Sequence, residues 1–148
     1  MELQNLLSYL PPFLGGVAGW GLFLLRLIWG TVMVLYGLPM IKNPFHWLDL
    51  GGKPSGFPGF LQAIGAVTIF TGGFAIIAGL LTPLAALGLA GAMAVALGMH
   101  LKNGNPLIKR IPDAPGDSYE ASLVYLAIAL LFLFVGPGSL SLDSLLFH

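Results

Sequence analysis

Residues 15–41 read GGVAGWGLFLLRLIWGTVMVLYGLPMI, an apolar run broken by a single charge, Arg26. About 20 such residues cross the hydrocarbon core of a bilayer as a helix, so this stretch sets the fold class. Arg26 falls near the middle of the run, where a charge costs roughly 2.5–3.5 kcal/mol on insertion scales. A residue carrying that cost is expected to face a partner or a functional cavity. Glu120, the one acid that adjoins a hydrophobic span, is its first candidate partner.

The rest of the chain repeats the pattern. Of its 148 residues 57% are hydrophobic and 8% charged, against about 25% charged in soluble domains. Four apolar spans are expected, over residues 18–38, 60–80, 83–101 and 120–135. The last is short, about 24 Å at 1.5 Å per residue, and starts within the headgroup level or beside thinned lipid. Pro83 suits the first turn of a helix, which joins the second and third spans in a tight hairpin. The expected architecture is therefore all-α: a polytopic membrane protein, one domain over residues 1–148, built as a four-transmembrane-helix bundle with short interfacial segments.

The flanks fit that frame. Leu3, Leu6, Leu7 and Leu10 recur at helical spacing before Pro11 and Pro12, as in an interfacial amphipathic helix. Residues 43–59 are rich in Gly, Pro and aromatics, residues 102–118 are the most polar stretch, and residues 140–147 rest on the membrane without spanning it. Residues 1–14 have no basic start, so no cleaved signal peptide is expected. Lys42, Lys53, Lys102, Lys109 and Arg110 all fall in the two longer loops. The positive-inside rule then puts those loops in the cytoplasm and both termini outside, in the inner (plasma) membrane.

Composition also removes functions. Zero net charge and the lack of a basic block argue against nucleic acid as a partner. Without cysteine there is no thiol catalysis and no cysteine-ligated cluster. His46, His100 and His148 are dispersed, so no metal or haem site is expected, and no self-sufficient catalytic or redox motif is visible. Gly15/Gly19 and the series Gly88, Ala92, Ala96 have the spacing that lets helices approach closely in lipid; packing inside one bundle is favoured over a dimer face, and a homo-oligomer stays open.

Counting 1.5 Å per residue from the outer end of each span sorts the polar residues by depth. Tyr36, Gln62, His100 and Glu120 fall at about 24–27 Å, near the loop side. That level is either interface decoration or a pocket for a head group or quinone ring, with His100 and Glu120 able to exchange protons. Arg26 falls at about 12 Å, level with Thr68, Thr71 and Tyr125 and too far from Glu120 for an easy pair. Trp29, three residues on, offers its ring face to the guanidinium. Arg26 is thus expected to have no carboxylate of its own chain within salt-bridge distance. It either spends its donors on hydroxyls and backbone carbonyls or meets an anion, lipid, water or partner.

Several stretches together carry a family likeness. Leu25-Arg26-Leu27, Tyr36-Gly37-Leu38-Pro39-Met40 through His46-Trp47, Pro58-Gly59-Phe60-Leu61, Gly79-Leu80-Leu81-Thr82-Pro83, Tyr119-Glu120, Gly136-Pro137-Gly138-Ser139 and Ser141-Leu142-Asp143 resemble, in order and spacing, DoxX-type membrane proteins. The resemblance implies a four-helix membrane bundle. It also implies links to oxidative or sulfur metabolism, including a quinone-reducing thiosulfate oxidoreductase. On that footing the chain is expected to act as a quinone-interacting subunit supplied with electrons by a membrane or peripheral redox partner. The alternative is a non-enzymatic scaffold or assembly factor; a small-solute carrier is disfavoured by the few short helices. The chain departs from the family pattern at Tyr36 and Met40, where His and Lys are usual, and at Ile69, where an acid precedes the paired glycines. The likeness therefore carries no acid onto that position.

Overall fold

The computed structural model describes residues 15–48, 56, 58–108 and 118–147. The amphipathic helix expected around Leu3–Leu10, and the basic residues Lys53, Lys109 and Arg110, lie outside the described residues. Five helices follow in order: α1 (Gly16–Lys42), α2 (Gly59–Ala78), α3 (Thr82–Lys102), α4 (Glu120–Val135) and the short α5 (Leu142–Phe147). The first three are long and apolar enough to cross a membrane, and α4 is a shorter apolar helix. The protein is a polytopic membrane bundle, as its hydropathy pattern requires.

Each boundary has a local cause. Helix α1 runs one turn beyond its expected end and includes Pro39, which removes one ladder hydrogen bond without stopping a helix that has only a turn left to run. Helix α2 ends at Gly79 in the left-handed conformation (φ 67°). The Gly79 N–H donates to Ile76 O (3.1 Å) and the Leu80 N–H to Ala75 O (2.9 Å), closing the paired bonds of a Schellman cap. Leu81 is also left-handed (φ 48°), the only non-glycine so placed among the described residues. Pro83 sits in the first turn of α3, so the expected hairpin forms, with a three-residue turn.

Glycine sets how closely α1 and α2 approach. A Cβ on Gly30 would lie 2.9 Å from Gly73 O, and one on Gly73 would lie 2.8 Å from Val34 N. At Gly37 the obstruction is the Phe70 backbone, also at 2.8 Å. These backbones touch, which in lipid yields dispersion and close polar contacts that bulkier side chains would prevent. Gly88 packs against Thr68 between α2 and α3, consistent with internal packing of that series.

Helices α1 and α4 meet through rings. Trp29 stacks on Phe132 (centroids 5.6 Å apart), and Tyr36 meets Tyr125 edge to face (5.9 Å). Within each helix the two ring residues are seven apart, two helical turns, so one antiparallel register places both pairs. Trp29, Met33, Ile69, Ile76, Leu89 and Phe132 form the centre of the core.

A buried arginine clasp and a loop-side polar level

Arg26 is 1% exposed. Its Nη1 donates to the carbonyl of Ile77 (3.3 Å) and its Nη2 to the carbonyl of Leu140. The guanidinium also lies 5.4 Å from the centre of the Phe23 ring. It therefore meets the outer end of α2 and the strap between α4 and α5, not the middle of the bundle. The reason is geometric: helix side chains lean toward the N-terminus, here the outer end of α1, and a long guanidinium amplifies that lean. The same lean carries Arg26 away from Trp29, whose ring is committed to Phe132, and onto Phe23. The expected Arg26–Trp29 contact is corrected accordingly.

The strap that receives Arg26 also supplies an acid. Asp143 is 3% exposed, and its two oxygens accept the N–H groups of Leu81 (2.6 Å) and Thr82 (2.8 Å). Its own N–H donates to Gly79 O (2.9 Å). A carboxylate on the first N–H groups of α3 satisfies donors that the helix cannot pair itself and meets the positive end of its dipole. These contacts also hold Leu81 in its left-handed conformation, which costs roughly 1–2 kcal/mol for a residue with a Cβ. Asp143 acts on Arg26 through the electrostatic field, while Arg26's direct partners are carbonyls. A Cβ on Gly79 would collide with Arg26 Nη1 and with Ser141 Cβ, so glycine is required there twice over. Ser141 in turn donates to Gly138 O (2.7 Å) and fixes the strap.

Sequence reasoning passed over Asp143 as a site residue. Its signal was present: it is the only charged side chain between Glu120 and His148. In residues 140–147 Ser141 and Asp143 are buried against the bundle, while Leu142, Leu145 and Leu146 are exposed.

The residues placed at Arg26's depth do not gather round it. Thr71 is exposed and donates to Val67 O of its own helix (2.6 Å). Thr68 faces α3 at Gly88, and Tyr125 pairs with Tyr36. The depth count compared Cα heights, whereas the guanidinium reaches Ile77, about 9 Å along α2 from Thr71 and about 13 Å from Thr68.

At the loop side, Gln62 is buried and holds the α1–α2 connection. Its Oε1 accepts the Leu48 N–H (2.9 Å) and its carbonyl accepts Trp47 Nε1–H (2.7 Å), latching the α1–α2 connection to α2. His100 Nδ1 is hydrogen-bonded to Asn105 Nδ2 (2.8 Å) where α3 ends. Glu120 is exposed at the start of α4, and Tyr36 is 48% exposed. The described contacts include Trp47 and Leu48 for Gln62, Asn105 for His100 and Tyr125 for Tyr36. Among the described residues no group of three His, Asp or Glu side chains could hold a metal ion.

Among the described residues, three buried side-chain polar atoms have no partner: Arg26 Nε, Trp29 Nε1 and Thr82 Oγ1. A family model described as DoxX matches residues 21–101, from α1 to the end of α3. No curated protein and no solved structure matches the chain.

Proposed function

The chain belongs to the DoxX family, and from that membership we propose that it works as a quinone-interacting subunit of a membrane oxidoreductase. Lacking cysteine and any redox group of its own, it would bind the lipid-soluble acceptor while a partner subunit supplied the electrons. The observation that carries this reading is the incompletely buried polar level at the loop-side end of the bundle, with Glu120 exposed and Tyr36 half-exposed. Those side chains fit a quinone head group, whose carbonyls need hydrogen-bond donors and whose reduction needs a nearby proton carrier. The basic residues of the two connecting loops support placing this end in the cytoplasm. Purified protein in nanodiscs is expected to bind decylubiquinone, and Glu120→Gln to weaken that binding several-fold. Unchanged affinity in Glu120→Gln, together with no quinone retained on purification, would remove the reading.

A second reading, a scaffold for other membrane subunits, is favoured by one feature. Gly91, Ala94 and Gly98 lie exposed along α3, and a Cβ on either glycine would meet nothing within 4 Å. The case for Arg26 as an exposed partner site is gone, because that side chain is buried. Crosslinking in native lipid tests the scaffold reading, and the same experiment reports a homo-oligomer.

A further inference from the structure

The seam between α1 and α4 changes character along its length. Two turns separate its ring pairs on each helix, yet Trp29 and Phe132 are 2% and 0% exposed while Tyr36 is 48% exposed. Both pairs are in ring contact, but the seam is buried at the inner pair and uncovered on the Tyr36 side at the tyrosines. Counting from the helix ends, Tyr36 lies about 9 Å inside Lys42 and Tyr125 about 7.5 Å inside Glu120. Both rings therefore sit at the boundary of the hydrocarbon, Tyr36 half-exposed and Tyr125 packed partly against the core.

Three hydrogen-bond donors on this seam lack a protein acceptor among the described residues. Two are the phenol hydroxyls of Tyr36 and Tyr125, whose described contact is ring to ring. The third is the indole N–H of Trp29, fully buried below them. At the boundary of the hydrocarbon such tyrosine hydroxyls take their acceptor from outside the chain, from a headgroup, interfacial water or a bilayer-dissolved ligand. All three donors are neutral. The buried cation that would draw an anion, Arg26, lies at the other end of the bundle and donates to the carbonyls of Ile77 and Leu140.

We propose that the loop-side half of the α1/α4 seam is a lateral binding cleft for an uncharged, bilayer-dissolved carbonyl compound, its oxygen accepting from Tyr36 and Tyr125 and its body lying above the Trp29–Phe132 stack. The same chemistry is offered by a quinone ring and by the ester carbonyl of a phospholipid. The cleft deepens the quinone-linked reading by giving it a place, but it stands on the ring geometry and survives if the ligand is lipid.

The test uses the full chain labelled with 3-fluorotyrosine in nanodiscs of ether-linked lipid, which lacks ester carbonyls. Tyrosine-to-phenylalanine variants assign the four tyrosine signals. Titration with decylubiquinone is expected to shift the Tyr36 and Tyr125 fluorine resonances saturably and leave Tyr119 in place. The double variant Tyr36→Phe/Tyr125→Phe keeps both rings, and so the packing, and is expected to bind about tenfold more weakly, the effect of losing one or two hydrogen bonds. A shift produced by ester-linked lipid but not by quinone supports the cleft with lipid as its occupant, and counts against the quinone-linked function. Resonances that move with neither carbonyl source overturn the cleft, while quinone binding that still depends on Glu120 would leave the broader function standing.

Discussion

Arg26 keeps its charge inside the bundle through two backbone carbonyls, an aromatic face and the field of Asp143. Removing Arg26 leaves the Ile77 and Leu140 carbonyls without their donor and opens space at its buried site. Removing the Asp143 charge leaves the guanidinium its carbonyls but not that field. Arg26→Ala is expected to destabilise the bundle by about 3 kcal/mol, and Arg26→Lys by somewhat less, since one ammonium cannot reach both carbonyls. Asp143→Asn retains one acceptor and is expected to cost about 1–2 kcal/mol. Because both residues bear on the Gly79–Leu81 turn, their combined effect should fall short of the sum. Unfolding in mixed micelles measures all four; strictly additive costs would show that the two are not coupled. Sequence reasoning recognised that Arg26 needed compensation and that Glu120 was too distant. It misplaced the remedy because a count of residues locates Cα atoms, while a guanidinium acts at the far end of a long side chain.

Whole elements were more legible than contacts between them. Hydropathy marked all four spans within a few residues, since lipid demands an unbroken apolar helix and tolerates little else. The faces were not legible. Gly30, Gly37 and Gly73 make the close α1–α2 crossing, and their spacing is no more distinctive than that of Gly91 and Gly98, where an added Cβ would meet nothing within 4 Å. Only assembly tells the two groups apart, and substitution should reproduce the difference. Gly37→Ala pushes a methyl into the Phe70 backbone and is expected to cost about 1–3 kcal/mol, as overpacking does. Gly91→Ala adds a methyl to open space and should leave stability within about 0.5 kcal/mol, apart from a small helical gain. If α3 carries a partner helix, Gly91→Leu would leave the melting of the isolated protein unchanged and abolish crosslinks formed in native membranes. Crosslinks that persist would move any partner to another face.

At the scale of the whole molecule, the clasp fixes which ends of the bundle lie together. Leu140 and Asp143 touch Arg26 and the α2–α3 turn, so the strap after α4 must share a membrane face with that turn. The other face holds the latch of Trp47 and Leu48 on Gln62 and the end of α3 at Asn103. Five basic residues, Lys42 and Lys102 ending α1 and α3 and three more in the two long connections, predict that this second face is cytoplasmic. The chain contains no cysteine, so single-cysteine variants can be labelled without background. Ser139→Cys, at an exposed position on the strap, is expected to react with an impermeant maleimide in intact cells. Asn103→Cys, also exposed, should react only after the membrane is opened. The reverse pattern would invert the orientation and leave the clasp intact, because an inverted bundle keeps its two faces distinct. Labelling of both positions from one side would be a graver result. It would require α4 not to cross, and the buried Arg26 would then have lost the strap that accepts its hydrogen bond.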